Sequence, residues 1–198
     1  MNMTTVDLLR HGLVKGEPRL LGQVDEPLSV EGWSQMRAIL DGQAPSWQSI
    51  FTSPLQRCTA FARELSERYG LPLVEDAGFQ EIGFGEWEGR LVSELYQSEG
   101  KRLAEFWRDP VQHPAPGGEA YDLFEARVCA AWRTLLSSCQ GQDCLVITHG
   151  GTIRSILRHV LDFPIRNLFQ IDVPYACLTR VQIGSGSKPR ILFHGGSL

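Results

Sequence analysis

The sequence predicts a single-domain α/β fold: a mostly parallel sheet with helices on both faces. Three observations carry that prediction. Short apolar, β-branched segments alternate with segments whose apolar residues recur at helical spacing, the order expected of a sheet flanked by helices. The run Cys144–Thr148 (CLVIT) is apolar almost throughout, as in a strand covered on both faces. The chain is 198 residues long and shows no internal repeat or linker, so one domain is expected over residues 1–198. The Pro/Gly-rich stretch Asp109–Gly118 reads as a surface loop.

The elements follow in order. Thr5–Leu9 (TVDLL) reads as a buried strand that stops at Gly12. Ser29 to Gly32 leads into a helix through Met36 and Leu40, and Ser49–Thr52 reads as a very short strand. Ser53-Pro54 predicts an N-cap with proline at the first helical position. Cys58, Phe61, Ala62, Leu65 and Tyr69 then mark a helix stopped by Gly70 and Pro72. Helical patterns recur at Leu91–Ser98, at Leu103–Arg108 and from about Ala120 to Ser138. After the Cys144–Thr148 strand, Ile153, Ile156, Leu157 and Val160 mark another helix. Cys177–Ile183 and Arg190–Phe193 close the sheet as two strands around a Gly/Ser turn.

Composition narrows the function classes. Hydrophobic residues make up 42% and charged residues 21%, which excludes a disordered or fibrous chain. Nineteen Lys and Arg against 23 Asp and Glu give a formal charge of −4, with no basic block, which argues against a nucleic-acid or acidic-lipid partner. An anionic ligand therefore needs a local cluster of positive charge. Five cysteines (Cys58, Cys129, Cys139, Cys144 and Cys177) contain no CxxC pair and read as buried free thiols in a reducing compartment. The segment MNMTTVDLLRHG lacks a signal-peptide core, and no apolar run reaches the roughly 20 residues of a membrane span. A cytoplasmic protein is expected.

Three polar constellations fall at the C-terminal ends of predicted strands: Arg10-His11-Gly12, Ser53-Pro54-Leu55-Gln56-Arg57 and Thr148-His149-Gly150-Gly151. That edge of an open α/β sheet is where ligands bind, and helices beginning there offer amide donors to an anion such as phosphate. Arg57 early in a helix runs against the dipole preference for acids at that end, which hints at function.

These motifs carry a resemblance. LLRHG, SPLQR, EIGFGEWEG and ITHGG, in this order from Leu8 to about Arg154, are similar to the histidine phosphatase superfamily, in its phosphoglycerate-mutase-like branch. The resemblance implies that His11 is the phosphorylated nucleophile and that Arg10 and Arg57 bind the phosphoryl group. It implies that His149 stabilises that group in flight and that Glu81 is general acid and base. It also implies a small phosphorylated metabolite as substrate, with no metal and no cofactor. Two neighbouring guanidinium groups are expected to keep His11 neutral and nucleophilic, whereas His149 is expected to be protonated. In Phe84–Gly89 the aromatics are expected mainly to pack the loop carrying Glu81, and the Asp25–Leu28 turn reads as structural.

The loop after His11 departs from the common RHGxTxxN pattern, placing Val14 and Glu17 at the threonine and asparagine positions, so Glu17 is expected to face solvent. The loop is also shorter than in mutases, and 198 residues leave little room for the segments that retain a mutase intermediate, which favours hydrolysis. RHGLV, DEPLS, SPLQRC, FGEWEGR and FWRDP look most like α-ribazole-5′-phosphate phosphatases of cobalamin biosynthesis. Mutase-type transfer and a silent phosphate-binding module stand as alternatives. A metal-dependent hydrolase built on His11, His149 and Glu81 is disfavoured, because no local ligand pair exists and adjacent arginines repel a dication.

Overall fold

A computed structural model describes residues 3–40, 46–184 and 188–196. Among the described residues six strands form one sheet in the order β3-β2-β4-β1-β5-β6, with β1 at Met3–Arg10, β2 at Ser49–Thr52, β3 at Leu73–Glu75, β4 at Asp143–Thr148, β5 at Leu178–Gly184 and β6 at Arg190–Gly196. The first four strands in that order run parallel, and β5 and β6 add antiparallel edges. β3 is absent from the sequence reading. Only three residues long and mostly exposed, it carries too little hydrophobic alternation to be seen. The Gly/Ser turn before β6 falls on residues 185–187, outside the described residues.

Two apolar layers sandwich the sheet, as expected. Helices α1 (Val30–Ala38) and α2 (Gln56–Tyr69) cover one face, where Met36, Phe61 and Leu65 meet Leu9, Ile50 and Ile147. Helices α3 (Val92–Arg108), α4 (Tyr121–Ser138) and α5 (Gly150–Leu161) belong to the other layer, where Phe106, Phe124 and Ile156 join Leu8 and Val146. The two short helical patterns at Leu91–Ser98 and Leu103–Arg108 are one continuous helix, α3. Gly100 between them breaks the sequence pattern but not the helix.

Register places the site. β1 and β4 pair so that Arg10 lies opposite Thr148, and both strands end there. The next residues, His11 and His149, therefore leave the sheet side by side, tied by a hydrogen bond from the His11 amide to the Thr148 carbonyl at 2.9 Å. β2 ends one strand over, and the Ser53 amide donates to the Ile147 carbonyl at 3.0 Å. All three expected constellations thus share one sheet edge.

Ser29 caps α1, its hydroxyl accepting from the Gly32 amide at 2.9 Å. Ser53 does not cap α2. The helix starts at Gln56 after Leu55, and Asp25 accepts from the Gln56 amide at 2.7 Å. A carboxylate from a distant turn thus replaces the local hydroxyl at this helix end, where negative charge is favoured. Ser53 is left for another role. All five cysteines are buried and unbridged.

Candidate active site

The nucleophile candidate, His11, is 5% exposed. Its Nδ1 lies 2.8 Å from the Gly12 carbonyl, which can only accept, so Nδ1 carries the proton and the Nε2 lone pair is free. Burial first, and then the charges of Arg57 and Arg10, hold the His11 pKa well below the ordinary imidazole range. The ring is neutral near pH 7, as expected, although desolvation outweighs the guanidinium effect.

Arg57 is 1% exposed, and its position early in α2 points it into the sheet edge. It donates to the Gly22 and Val24 carbonyls, each at 2.6 Å, and through Nε to His149 Nδ1 at 3.3 Å. These bonds fix the plane of the guanidinium and leave further N–H groups for an anion. Arg10 donates to the Val173 carbonyl, and its guanidinium lies 4.2 Å from the centre of the Tyr175 ring. Its Nε is buried without a partner, a donor in want of an acceptor.

His149 is fully buried, and its ring centre is 5.2 Å from that of His11. The protonated form is expected for the reacting state, and the free site holds the neutral one. Burial, followed by Arg57, His11 and Arg10, pushes the His149 pKa well below its usual value, so the imidazole is neutral in the free site. Since Nδ1 accepts from Arg57, the proton sits on Nε2 and is donated to Ser53 Oγ at 2.7 Å. Ser53, expected as a helix cap, is thus the anchor of His149. Cys58 Sγ packs 3.7 Å from Nε2, and burial holds its thiol neutral with a pKa near 12.

Glu81 reaches the same edge from the loop after β3. Its carboxylate accepts from the Ile82 amide at 3.0 Å and the Gly151 amide at 2.9 Å. An alanine methyl at Gly151 would lie 2.2 Å from Glu81 Oε1, so the carboxylate's seat requires glycine at this position. The loop is anchored from outside: Thr148 and Thr152 donate to the Phe79 and Gln80 carbonyls at 2.7 and 3.0 Å. Arg127 of α4, paired with Glu119, donates to the Gln80 and Glu81 carbonyls at 2.9 Å each.

All five predicted residues therefore meet in one place. Arg10, His11, Arg57 and Glu81 line one cleft, and the His149 ring packs behind that of His11, their centres 5.2 Å apart. Arg154 and Tyr175, also in the lining, escaped the sequence reading. Arg154 is the fifth residue of α5, past the first turn, and lacks the charge-against-dipole signal that Arg57 carries. Tyr175 gives no local signal, because pairing of β5 with β1 brings its loop to the site. Glu17 is exposed, as expected. Trp87 is buried, as the packing reading of its segment implied, but Phe84 lines the cleft. Among the described residues no group of three or more His, Cys, Asp or Glu side chains could hold a metal ion, and no helix is long and apolar enough to cross a membrane.

The sequence profile of the histidine phosphatase superfamily (branch 1) matches residues 6–194. The chain belongs to this superfamily. It is 29% identical over 196 residues to a 2,3-bisphosphoglycerate-dependent phosphoglycerate mutase of Rhizobium etli, covering 92% of each chain. Among solved structures, YhfR of Bacillus stearothermophilus superposes with a TM-score of 0.88 at 25% identity, over 98% of each chain. A mycobacterial glucosyl-3-phosphoglycerate phosphatase in complex with VO3 gives 0.84 at 27% identity, over 98% of this chain and 99% of that one. An α-ribazole phosphatase of Shigella flexneri gives 0.80 at 22% identity, over 97% of this chain and 96% of that one, and shares the fold. Phosphatase or mutase-like chemistry on phosphorylated substrates is the common ground of this histidine phosphatase and its relatives.

Proposed function

We propose that this protein is a metal-independent phosphomonoesterase that hydrolyses a small phosphorylated metabolite through a phosphohistidine on His11. One observation carries the reading: the neutral His11 ring spends its only N–H on Gly12, leaving the Nε2 lone pair free in a cleft that Arg10 and Arg57 also line. Nε2 attacks phosphorus, the P–O bond to the alcohol breaks, and the departing alkoxide takes a proton from Glu81, which enters this step as the carboxylic acid and leaves it as the carboxylate. Water then attacks the phosphohistidine and returns a proton to Glu81, and the P–N bond breaks to release phosphate. The arginines neutralise the equatorial oxygens, where positioning and electrostatics supply most of the catalysis. Entry of the dianion favours uptake of a solvent proton at His149 Nδ1; Nδ1 then no longer accepts from Arg57 Nε, which frees that N–H for the phosphoryl oxygens, while Ser53 holds Nε2.

The motifs SPLQRC, FGEWEGR and FWRDP nominate α-ribazole 5′-phosphate as the first substrate to test, and the Rhizobium relative nominates 3-phosphoglycerate for mutase-type transfer. The test is a panel of both compounds with phosphoserine, assayed with EDTA present. Expected is phosphate release that EDTA does not reduce and that His11→Ala abolishes. No release from any ester, release unaffected by His11→Ala, or mutase turnover exceeding hydrolysis would each overturn the reading.

A further inference from the structure

The reacting groups fill only part of the cleft. Alongside them runs a wall of aromatic rings built from three separate segments. Phe84 comes from the Glu81 loop, Phe106 and Trp107 from the end of α3, and Phe169 from the 3₁₀ turn Ile165–Gln170. The rings meet edge to face: Phe106–Trp107 at 4.9 Å and 78°, Trp107–Phe169 at 4.8 Å and 83°, and Phe84–Phe106 at 5.7 Å and 66°. Such perpendicular contacts lock each ring against the next, so the wall is preformed. Trp107 and Phe169 remain only half buried where they line the cleft, and the Arg154 guanidinium stands 5.6 Å from the centre of the Phe169 ring. Wet aromatic surface inside a concave site favours an apolar ligand that covers it. A compact, fully polar alcohol such as glycerate or serine would leave the wall uncovered.

We infer that this wall is the binding site for a flat apolar ring in the alcohol portion of the substrate. The enzyme would then select phosphate esters of ring-bearing alcohols over compact polar ones. Trp107 and Phe169 are the specificity-determining residues. The inference rests on the phosphomonoesterase reading, and the test separates the two.

The probes are 2-phenylethyl phosphate and ethyl phosphate. Both leave as primary alkoxides, so leaving-group chemistry is matched and only the ring differs. In the wild-type protein kcat/KM should favour the phenylethyl ester by about tenfold or more. The ratio should fall to within about threefold of unity in Trp107→Ala or, should that variant not fold, in Phe169→Ala, and should largely persist in Trp107→Phe. Equal rates for the two esters, or undiminished preference in both alanine variants, would overturn the inference. Absence of release from either ester, together with none from the metabolite panel, would instead sink the phosphatase reading. Calorimetry with the corresponding non-hydrolysable phosphonates then decides the wall on its own: tighter binding of phenylethylphosphonate supports it, and equal binding of the two overturns it.

Discussion

His11 and His149 are the same side chain in two different jobs, and their hydrogen bonds separate them. His11 gives its proton to a carbonyl, which aims the basic nitrogen at the cleft, whereas His149 lies between Arg57 and Ser53. Both rings should stay neutral at about pH 6, below the ordinary imidazole value of about 6.5. Nitrogen-15 NMR of the free protein should show Nδ1–H at His11 and Nε2–H at His149, and protonated rings at that pH would contradict the assignment. Ser53→Ala should shift the His149 tautomer signal and lower kcat by about tenfold or more, with Ser53→Thr restoring much of both. Gly151→Ala pushes a methyl onto the Glu81 carboxylate, so kcat should fall on the order of tenfold while folding is retained. A kcat equal to wild type would show that the carboxylate's seat is not needed.

At the scale of elements, the site depends on segments that meet backbone to backbone. Gly12 and Gly32 press the loop after β1 against α1: a methyl on Gly32 would lie 2.0 Å from the Leu13 carbonyl oxygen, and one on Gly12 would lie 2.2 Å from that of Gly32. Neither backbone can yield without moving His11. Gly32→Ala should therefore destabilise the fold by about 1–3 kcal/mol in denaturant unfolding. The Glu81 loop pairs with no strand and is held by side chains of β4, α5 and α4: Thr148, Thr152 and Arg127. Arg127→Ala would remove the guanidinium donor shared by the Gln80 and Glu81 carbonyls, leaving them only Thr152 and a long bond from Gln23, so kcat should fall by about tenfold or more with a smaller change in KM. A change confined to thermal stability would show that Arg127 only braces the helix.

Across the whole molecule, burying two imidazoles couples stability to acid. As pH falls below about 6.5 the unfolded chain protonates both rings while the folded chain resists, so the unfolded state binds more protons. Stability should be fully present above about pH 7 and decline as pH drops toward the lowered values. In urea unfolding the decline should be shallower in His11→Asn, and an identical slope would contradict the linkage. The parts of this molecule legible in the sequence are those where a residue's neighbours in the chain are also its neighbours in space. Strand ends followed by RHG, SPLQR and THGG announce the sheet edge, because each motif sits on one strand and one turn. Ser53 misled for the converse reason: its sequence context is a helix start, but the cap comes from Asp25 and its true partner is His149. Arg127 and Tyr175 were silent, since only the packing of α4 and the return of β5 bring them near Glu81 and Arg10. The most direct measurement is to quench turnover of a labelled phosphomonoester and map the adduct. The predicted result is one acid-labile, alkali-stable phosphate on Nε2 of His11, lost in His11→Ala. Label on another residue or on Nδ1, or turnover surviving without His11, would contradict it.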